Sequence, residues 1–309
     1  MAQQLVTQLS QLAPSGGKLT AAQASELNRL FQELSAQGEA GVAAIRDFLG
    51  RNEDINFDSI PGGDNVDYAT LRLGLLDALM QAGGKDASDA LVQVLQTTTD
   101  PREIALLARS LEQSSPDQYN EQVLAAARNA LAMAMKGQWD GKDVSPLFEV
   151  LQHLGDANTA PDLKSAVKAF NYYATLALAG MPNGTGVPTL IQLAADPGVA
   201  ALGNGDYALR PLAQVALQYP EAQAALIQQA QMNQIPTAAW AGVAAALSGT
   251  YIQYGTQIFG SPVSTVQWSN AEITRRIALI DQLLAVTSNS SGTQSLRTAR
   301  TSLVAKLSA

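Results

Sequence analysis

Short segments in which apolar residues recur at helical spacing run along nearly the whole chain. Many begin near a proline, which the first helical turn tolerates because its N–H is unpaired there anyway, and end near a glycine. This pattern indicates about sixteen short helices joined by turns, and it predicts an all-α fold. The prolines near segment starts are Pro101, Pro146, Pro161, Pro188, Pro197, Pro220 and Pro236, and the glycines near segment ends are Gly137, Gly155, Gly180 and Gly249.

The segment Asp100–Gln113, DPREIALLARSLEQ, shows the pattern most clearly. Asp100 can cap the helix N-terminus, Pro101 suits the first helical position, and Glu103 completes a predicted capping box. The apolar residues at helical spacing predict one buried face. They are Ile104, Leu107, Ala108 and Leu111.

Internal similarity between distant segments predicts a repeat architecture. DALVQVLQTTTDP (Asp89–Pro101) aligns with VPTLIQLAADP (Val187–Pro197), and SPLFEVLQHLGD (Ser145–Asp156) is similar to the first half of both. Each segment is a short apolar helix, and in the first two an Asp-Pro pair opens the next helix. Helix pairs with weak self-similarity are typical of α-solenoids, in which each pair buries its apolar face on its neighbours.

The segment GVPTLIQLAADP resembles the bacterial HEAT-like repeat family, and the resemblance covers about Tyr68–Leu247. It implies a right-handed α–α superhelix of the HEAT-like or armadillo type, in one elongated domain. Within that domain we expect a helical cap and acidic loop at 1–66, repeats at 67–249, and an aromatic loop with capping helices at 250–309. The chain departs from the family where Ala105 follows Ile104, since HEAT-like repeats usually have a basic residue there. The ladder of Asp–Arg pairs found in many such proteins is therefore expected to be weak or absent.

The family resemblance also implies a function. It implies a non-catalytic scaffold that binds a protein or peptide on the concave surface formed by the second helices of its pairs. No cofactor is implied, and the identity of the partner is left open.

Charge and cysteine content exclude several classes of function. The net charge is −8, and although five basic and two acidic residues follow Ala271, these cations are dispersed. Binding of nucleic acid needs a basic stripe along the phosphates, so we expect no nucleic-acid partner. The chain has no cysteine, which excludes thiol catalysis, disulfides and zinc or iron–sulfur sites built on cysteine.

A run of 50 residues, from Ala222 to Ala271, contains no Asp, Glu, Lys, Arg or His. Its longest strongly apolar piece, Ala238–Leu247, is far shorter than the roughly 20 residues that a membrane-spanning helix needs. We therefore expect no membrane span. Trp240, Val243 and Leu247 share one helical face, which predicts a closely packed helix instead.

Aromatic residues are concentrated directly after this predicted helix. Two interpretations stay open: a hydrophobic lid over the end of the repeat stack, or a neutral patch that recognises a partner. The candidate partner-binding residues are Trp240, Tyr251, Tyr254, Phe259 and Trp268.

No set of residues specifies a reaction. His153 is the only histidine, so a Ser–His–Asp relay would have to use it, but its position near a predicted helix end favours a charge–dipole role. We therefore predict no catalytic residues. The alternative is an α/α enzyme that acts on a glycan through paired acidic residues, although aromatic residues, which commonly line sugar clefts, make up only 6% of the chain.

The acidic stretch Glu53–Asp67 contains the only candidate metal site. Asp54, Asn56 and Asp58 have the alternating spacing that opens a calcium loop, but Ser59 stands where that loop needs glycine. One interpretation is a calcium-stabilised extracytoplasmic binding module. The other is a solvated acidic connector held against the helices by its apolar residues, which are Ile55, Phe57 and Ile60.

The first residues, MAQQLVTQLSQLAPSGG, lack the basic start and apolar core of a signal peptide. The low charge and the abundant Gln, Asn and Thr nevertheless favour an extracytoplasmic over a cytoplasmic location.

Overall fold

The computed structural model of the chain describes residues 1–12, 17–51, 53–139, 141–250, 259 and 268–307. The fold is 74% helical, and the described residues form sixteen α-helices and no strand, which confirms the all-α prediction. The helices are α1 (Ala2–Leu12), α2 (Ala21–Ser35), α3 (Glu39–Leu49), α4 (Leu71–Ala82), α5 (Gly84–Thr97), α6 (Pro101–Ser114), α7 (Asn120–Met135), α8 (Ser145–Leu154), α9 (Ala160–Gly180), α10 (Val187–Ala194), α11 (Pro197–Ala200), α12 (Leu209–Val215), α13 (Pro220–Gln231), α14 (Trp240–Ser248), α15 (Asn270–Val286) and α16 (Ser290–Leu307).

The chain divides into two compact units, and the division falls within α7. Unit 1 comprises Met1–Ala130 and Gly141–Asp143, and unit 2 comprises Leu131–Asp140 and Val144–Ala309. The sequence placed its boundaries elsewhere, after residues 66 and 249. The predicted single elongated domain with those three segments stays a prediction.

Helices in unit 1 pack in chain order. From α1 to α6 each helix contacts its sequence neighbour, and α1, α2, α3 and α4 each also contact the second helix after them. Each helix can therefore bury one apolar stripe between two neighbours, which a short helix in water needs for its stability. Leu27, Ile45, Leu75, Leu91 and Leu107 lie in this core, one from each of the helices α2 to α6.

Unit 2 follows a similar order when the four-residue helix α11 is left out. Helices α8, α9, α10, α12 and α13 pack as sequence neighbours, and α9 and α10 also contact the second helix after them. Farther along, α14 contacts α12, α15 and α16, while α13 contacts α15. Burial in both units thus comes mostly from helices that are close in sequence.

The aligned segments of the two units share their local structure. The Asp100 carboxylate caps α6 by accepting a hydrogen bond from the backbone N–H of Arg102 at 2.9 Å. Asp196 caps α11 in the same way, accepting from the N–H of Gly198 at 2.8 Å. The prediction that each Asp-Pro pair opens a helix is therefore confirmed.

The predicted capping box of α6 is wrong. Glu103 does not fold back on the helix N-terminus; it is 3% exposed and binds Arg72 of α4. Arg72 donates from Nε to Glu103 Oε1 at 2.6 Å and from Nη2 to Oε2 at 3.1 Å. Leaving a buried carboxylate without a charged partner costs more free energy than leaving a helix N-terminus without a second cap. The long-range pair with Arg72 therefore forms instead.

Arg72 also holds the end of a third helix. Its Nη1 donates to the carbonyl of Leu49, the last residue of α3, at 3.0 Å. Burial disfavours the charge on Arg72, but Glu103, together with the charges of Asp54 and Asp100, outweighs this effect and raises the pKa of the guanidinium above its ordinary value. A single side chain therefore joins α3, α4 and α6.

The connection between α3 and α4 is fixed by its apolar residues and by backbone bonds. Phe57 is fully buried, as predicted, whereas Ile55 and Ile60 are half-buried. The N–H of Phe57 donates to the carbonyl of Ala69 at 2.8 Å, and the N–H of Leu71 donates to that of Ile55 at 2.9 Å. The acidic loop is thus held against the helices, as the connector interpretation expects.

Replacing Arg72 with methionine is expected to destabilise the protein by about 3–5 kcal/mol, because the Glu103 carboxylate would stay buried without its partner. The double variant Arg72→Met/Glu103→Leu should recover most of that loss. Urea unfolding followed by circular dichroism measures both. The control is Arg29→Gln, which breaks two exposed ion pairs on α2, with Glu26 and Glu33. It should unfold at nearly the same urea concentration as the wild type, because exposed ion pairs contribute little to stability. Equal losses for Arg72→Met and Arg29→Gln would contradict the assignment.

Candidate functional site

Trp240, the first of the predicted partner-binding residues, belongs to the core. It opens α14 and is 1% exposed, and Val243 and Leu247 on the same face are fully buried. A Cβ added to Gly292 of α16 would lie only 2.6 Å from Cε2 of the Trp240 ring, so the two helices pack closely here. The predicted packed helix is confirmed, and Trp240 is part of the core between α14 and α16.

Trp268 packs at the other end of α14. Its half-buried ring lies against Gly249, the residue that ends α14 in the left-handed conformation, so that a Cβ on Gly249 would overlap the ring. The guanidinium of Arg276 lies 3.6 Å from the ring centroid, and the Lys306 ammonium lies 5.5 Å from it. These contacts place Trp268 among the helices of unit 2.

Arg276 holds the end of α14 in turn. It is 8% exposed, and its Nη1 donates to the carbonyl of Leu247 at 2.9 Å. Desolvation lowers the pKa of Arg276, and the carboxylate of Glu272, one turn earlier in α15, opposes that shift. A cation at the C-terminus of a helix is favoured by the helix dipole.

Phe259 stacks on the only histidine. Its ring lies 4.1 Å from that of His153, nearly parallel at 8°, and its N–H donates to Glu149 Oε1 at 3.4 Å. His153 lies in the last turn of α8, as predicted. Tyr251 and Tyr254 lie outside the described residues.

The predicted partner-binding residues that the structure describes are Trp240, Phe259 and Trp268, and each packs against different residues. Trp240 and Gly249, the residue that Trp268 covers, lie about 13 Å apart along α14 at the helical rise per residue. Phe259 lies against α8 instead. The structure does not bring these three rings into contact with one another.

The residues of the candidate calcium loop face different partners. Asp54 Oδ1 accepts hydrogen bonds from the N–H groups of Arg72 and Ile55, at 2.9 and 2.8 Å, and so serves the start of α4. Desolvation raises the pKa of Asp54 despite these bonds. Asp58 pairs with Arg102, and the carbonyl of Asn56 accepts from the Ser59 hydroxyl. Within the described ranges, no three His, Asp or Glu side chains are grouped so that they could hold a metal ion.

Among the described residues, the two most buried carboxylates are both engaged by arginine. Glu103 binds Arg72 in unit 1, and Asp206, 6% exposed, binds Arg210 in unit 2. Each therefore stabilises its own unit. The prediction that the chain has no catalytic residues stays a prediction, as does the alternative of a glycan-cleaving enzyme.

Five aromatic rings of unit 2 form one connected group, which we call the aromatic cluster: Trp139, Phe148, Phe170, Tyr172 and Tyr173. Trp139 contacts Phe170 with ring centroids 5.1 Å apart, and Phe148 contacts Phe170 and Tyr173, both at 5.6 Å. Tyr172 meets Tyr173 edge to face at 5.3 Å. Phe148 is buried, whereas the other four rings are only half-buried. The cluster thus presents aromatic surface to solvent.

A break in α9 positions the cluster. Phe170 has φ −134° and ψ 43°, which are not helical angles, so α9 consists of two helical pieces. Asn171 Oδ1 accepts a hydrogen bond from the N–H of Tyr172, the next residue, at 2.7 Å. The buried Thr175 hydroxyl lies 2.8 Å from the carbonyl of Tyr207, which ties that piece to the turn before α12.

Sequence reasoning missed the cluster because contact between Trp139, Phe148 and Phe170 depends on the tertiary fold. A signal was present in the run Phe170-Asn171-Tyr172-Tyr173. Aromatic residues are moderate helix formers, and an asparagine side chain competes for backbone N–H groups, so this run favours a break.

No helix of the described residues is long and apolar enough to cross a membrane, as the sequence predicted. No family model, curated protein or solved structure matches the chain.

Replacing Trp240 with alanine is expected to destabilise the protein by about 3–5 kcal/mol, because it leaves a large cavity between α14 and α16. Gly292→Ala should cost about 1–3 kcal/mol by overpacking the same contact. Chemical denaturation measures both, and the exposed neighbour Ala241, replaced with serine, is the control. Wild-type stability of Trp240→Ala would contradict the core position of this ring.

Replacing Trp268 with alanine is expected to cost about 1–2 kcal/mol, because Arg276 loses the ring over which it lies. Arg276→Gln should cost about 1.5–3 kcal/mol, since the carbonyl of Leu247 also loses its charged donor. The matched control is Arg275→Gln, which changes an adjacent arginine whose side chain is 64% exposed. Thermal and urea unfolding measure the stabilities of the three variants. Equal stability of the Arg275 and Arg276 variants would show that the contact has no structural role.

Proposed function

We propose that the chain is a HEAT-like helical-repeat scaffold, without catalytic activity, that binds a protein or peptide partner. Two features support the repeat part of this proposal. Helices close in sequence pack together within each unit, and Asp-Pro pairs cap α6 and α11 in the same way. Proteins built from such neighbour contacts commonly use the surface of successive helices for binding.

The aromatic cluster is the observation that carries the binding part of the proposal. Four half-buried aromatic rings, in two contacting pairs that the buried Phe148 links, offer apolar surface on side chains with few rotatable bonds, which is typical of interface hot spots. Phe170, Tyr172 and Tyr173 belong to α9, the second helix of the α8–α9 pair. The family resemblance expects partner contacts on second helices.

Replacing Trp139 with alanine is expected to abolish the capture of a partner, because an exposed aromatic anchor commonly contributes at least about 2 kcal/mol to an interface. The purified full chain is immobilised and incubated with extract of its native cells, and the bound proteins are quantified by mass spectrometry. A partner should be retained by the wild type and lost from Trp139→Ala while circular dichroism and melting show a folded variant.

The control for this experiment is Met232→Gln, which removes an apolar side chain of unit 2 that is 50% exposed and outside the cluster. It should retain the same proteins as the wild type. Identical retention by all three chains would contradict the assignment of binding to the aromatic cluster.

A further inference from the structure

The hydroxyl of Thr175 lies against the backbone that carries the two tyrosines of the aromatic cluster. Thr175 is fully buried, three residues after Tyr172 and two after Tyr173. Its Oγ1 lies 2.8 Å from the carbonyl oxygen of Asn171 and 3.4 Å from that of Tyr172. These residues directly follow the break at Phe170, so the hydroxyl contacts the start of the second piece of α9.

The same hydroxyl reaches a carbonyl far along the chain. Thr175 Oγ1 lies 2.8 Å from the carbonyl oxygen of Tyr207, 32 residues later. The helical partner of that carbonyl would be the N–H of Pro211, four residues on, but proline has no N–H. The carbonyls on either side of it are bonded by the N–H groups four residues later. A hydroxyl has one hydrogen to donate, and here it supplies the donor that Pro211 lacks.

The turn before α12 holds Tyr207 in a defined position. Gly203 has a φ of +51°, and a Cβ added to it would lie 2.7 Å from Cε2 of the Tyr207 ring. Gly205 has a φ of +76°, and a Cβ there would lie 2.8 Å from the carbonyl oxygen of Ala200. Both positions therefore require glycine. The Thr175 hydroxyl is thus bound to a turn whose own conformation is constrained.

We propose that Thr175 is a positioning residue of the aromatic cluster: it fixes the second piece of α9 to the turn before α12 and so orients Tyr172 and Tyr173 for the partner. The inference rests on the proposed function. Because Thr175 is fully buried, it acts through the tyrosines and not by contact with the partner. Side chains that are already oriented lose less freedom on binding, which strengthens the complex.

Fluorine NMR of the full chain, labelled with 3-fluorotyrosine, tests the positioning without any partner. Substitution of each tyrosine by phenylalanine assigns the resonances of Tyr172 and Tyr173. Thr175→Val removes the hydroxyl while keeping a side chain of similar shape, and it is expected to shift or broaden both resonances. Thr175→Ser keeps the hydroxyl and should restore their wild-type positions. Tyr68 of unit 1 serves as the internal reference.

A change on the other side of the hydrogen bond separates positioning from local packing. Gly203→Ala displaces the Tyr207 ring and should shift the same two resonances, although residue 203 is far from them in the chain. The double variant Thr175→Val/Gly203→Ala should shift them no further than Thr175→Val does, because the link is already absent. The control is Gly292→Ala, which overpacks the contact between α14 and α16 and should leave both resonances in place.

The capture experiment then connects positioning with binding. Thr175→Val and Gly203→Ala are each expected to retain about fivefold less partner than the wild type. Thr175→Ser and Gly292→Ala should retain as much as the wild type. Loss of stability alone would affect Gly292→Ala as well, so this comparison distinguishes a positioning role from a general structural one.

Several results would overturn the inference, and they separate it from the proposed function. Unshifted tyrosine resonances in Thr175→Val would reject the positioning role, whatever the capture experiment shows. Shifts in Thr175→Val that Gly203→Ala does not reproduce would indicate local packing and would reject the link to the turn. Shifted resonances with undiminished capture would reject the effect on binding.

Two further outcomes are decided by the same set of variants. If Thr175→Val does not fold, Gly203→Ala tests the same point, because it leaves the hydroxyl in place and moves only its acceptor. Absence of capture by the wild type would count against the proposed function, and the inferred effect on binding would fail with it. The resonances of Tyr172 and Tyr173 would still show whether Thr175 orients the rings.

Discussion

Short helices are only marginally stable in water by themselves, and this constraint applies to the whole chain. Most of its helices are between 7 and 18 residues long, near or below the length at which an isolated helix persists in water. Each helix must therefore bury its apolar stripe on others, and helices close in sequence provide those surfaces with little loop-closure cost. The packing of helices that are close in sequence, seen within each unit, follows from this requirement.

The same constraint makes helix ends important, and a buried arginine is used at one such end in each unit. Arg72 binds the last carbonyl of α3, and Arg276 binds the carbonyl of Leu247 near the end of α14. In both cases a glutamate balances the charge, from a different helix for Arg72 and from the same helix for Arg276. The first arrangement links three helices, so it should contribute more to specifying how they pack than the second, which secures one helix end and one aromatic ring.

The sequence predicts those features that depend on residues near one another in the chain. The all-α class, the Asp-Pro helix starts, the buried face of α6 and the packed helix at Trp240 all follow from local spacing. Pairings between distant residues do not: Glu103 has suitable spacing for a local cap, yet its partner lies 31 residues earlier. A pattern of one helix cannot reveal which distant charge will be buried beside it.

The candidate site was missed for a related reason. The candidates were chosen by the local density of aromatic residues, which favours the segment after α14, whereas contact between rings requires the tertiary fold.

In the aromatic cluster, Trp139 and Phe148 come from different parts of the chain and meet at Phe170. The meeting point is where α9 departs from helical geometry. A regular helix would place Phe170 and Tyr173, three residues apart, on one side and would carry Tyr172 about 200° away from Phe170. Local departures from regular structure that assemble exposed side chains are more informative about function than the regular helices around them, because packing alone does not require such an arrangement.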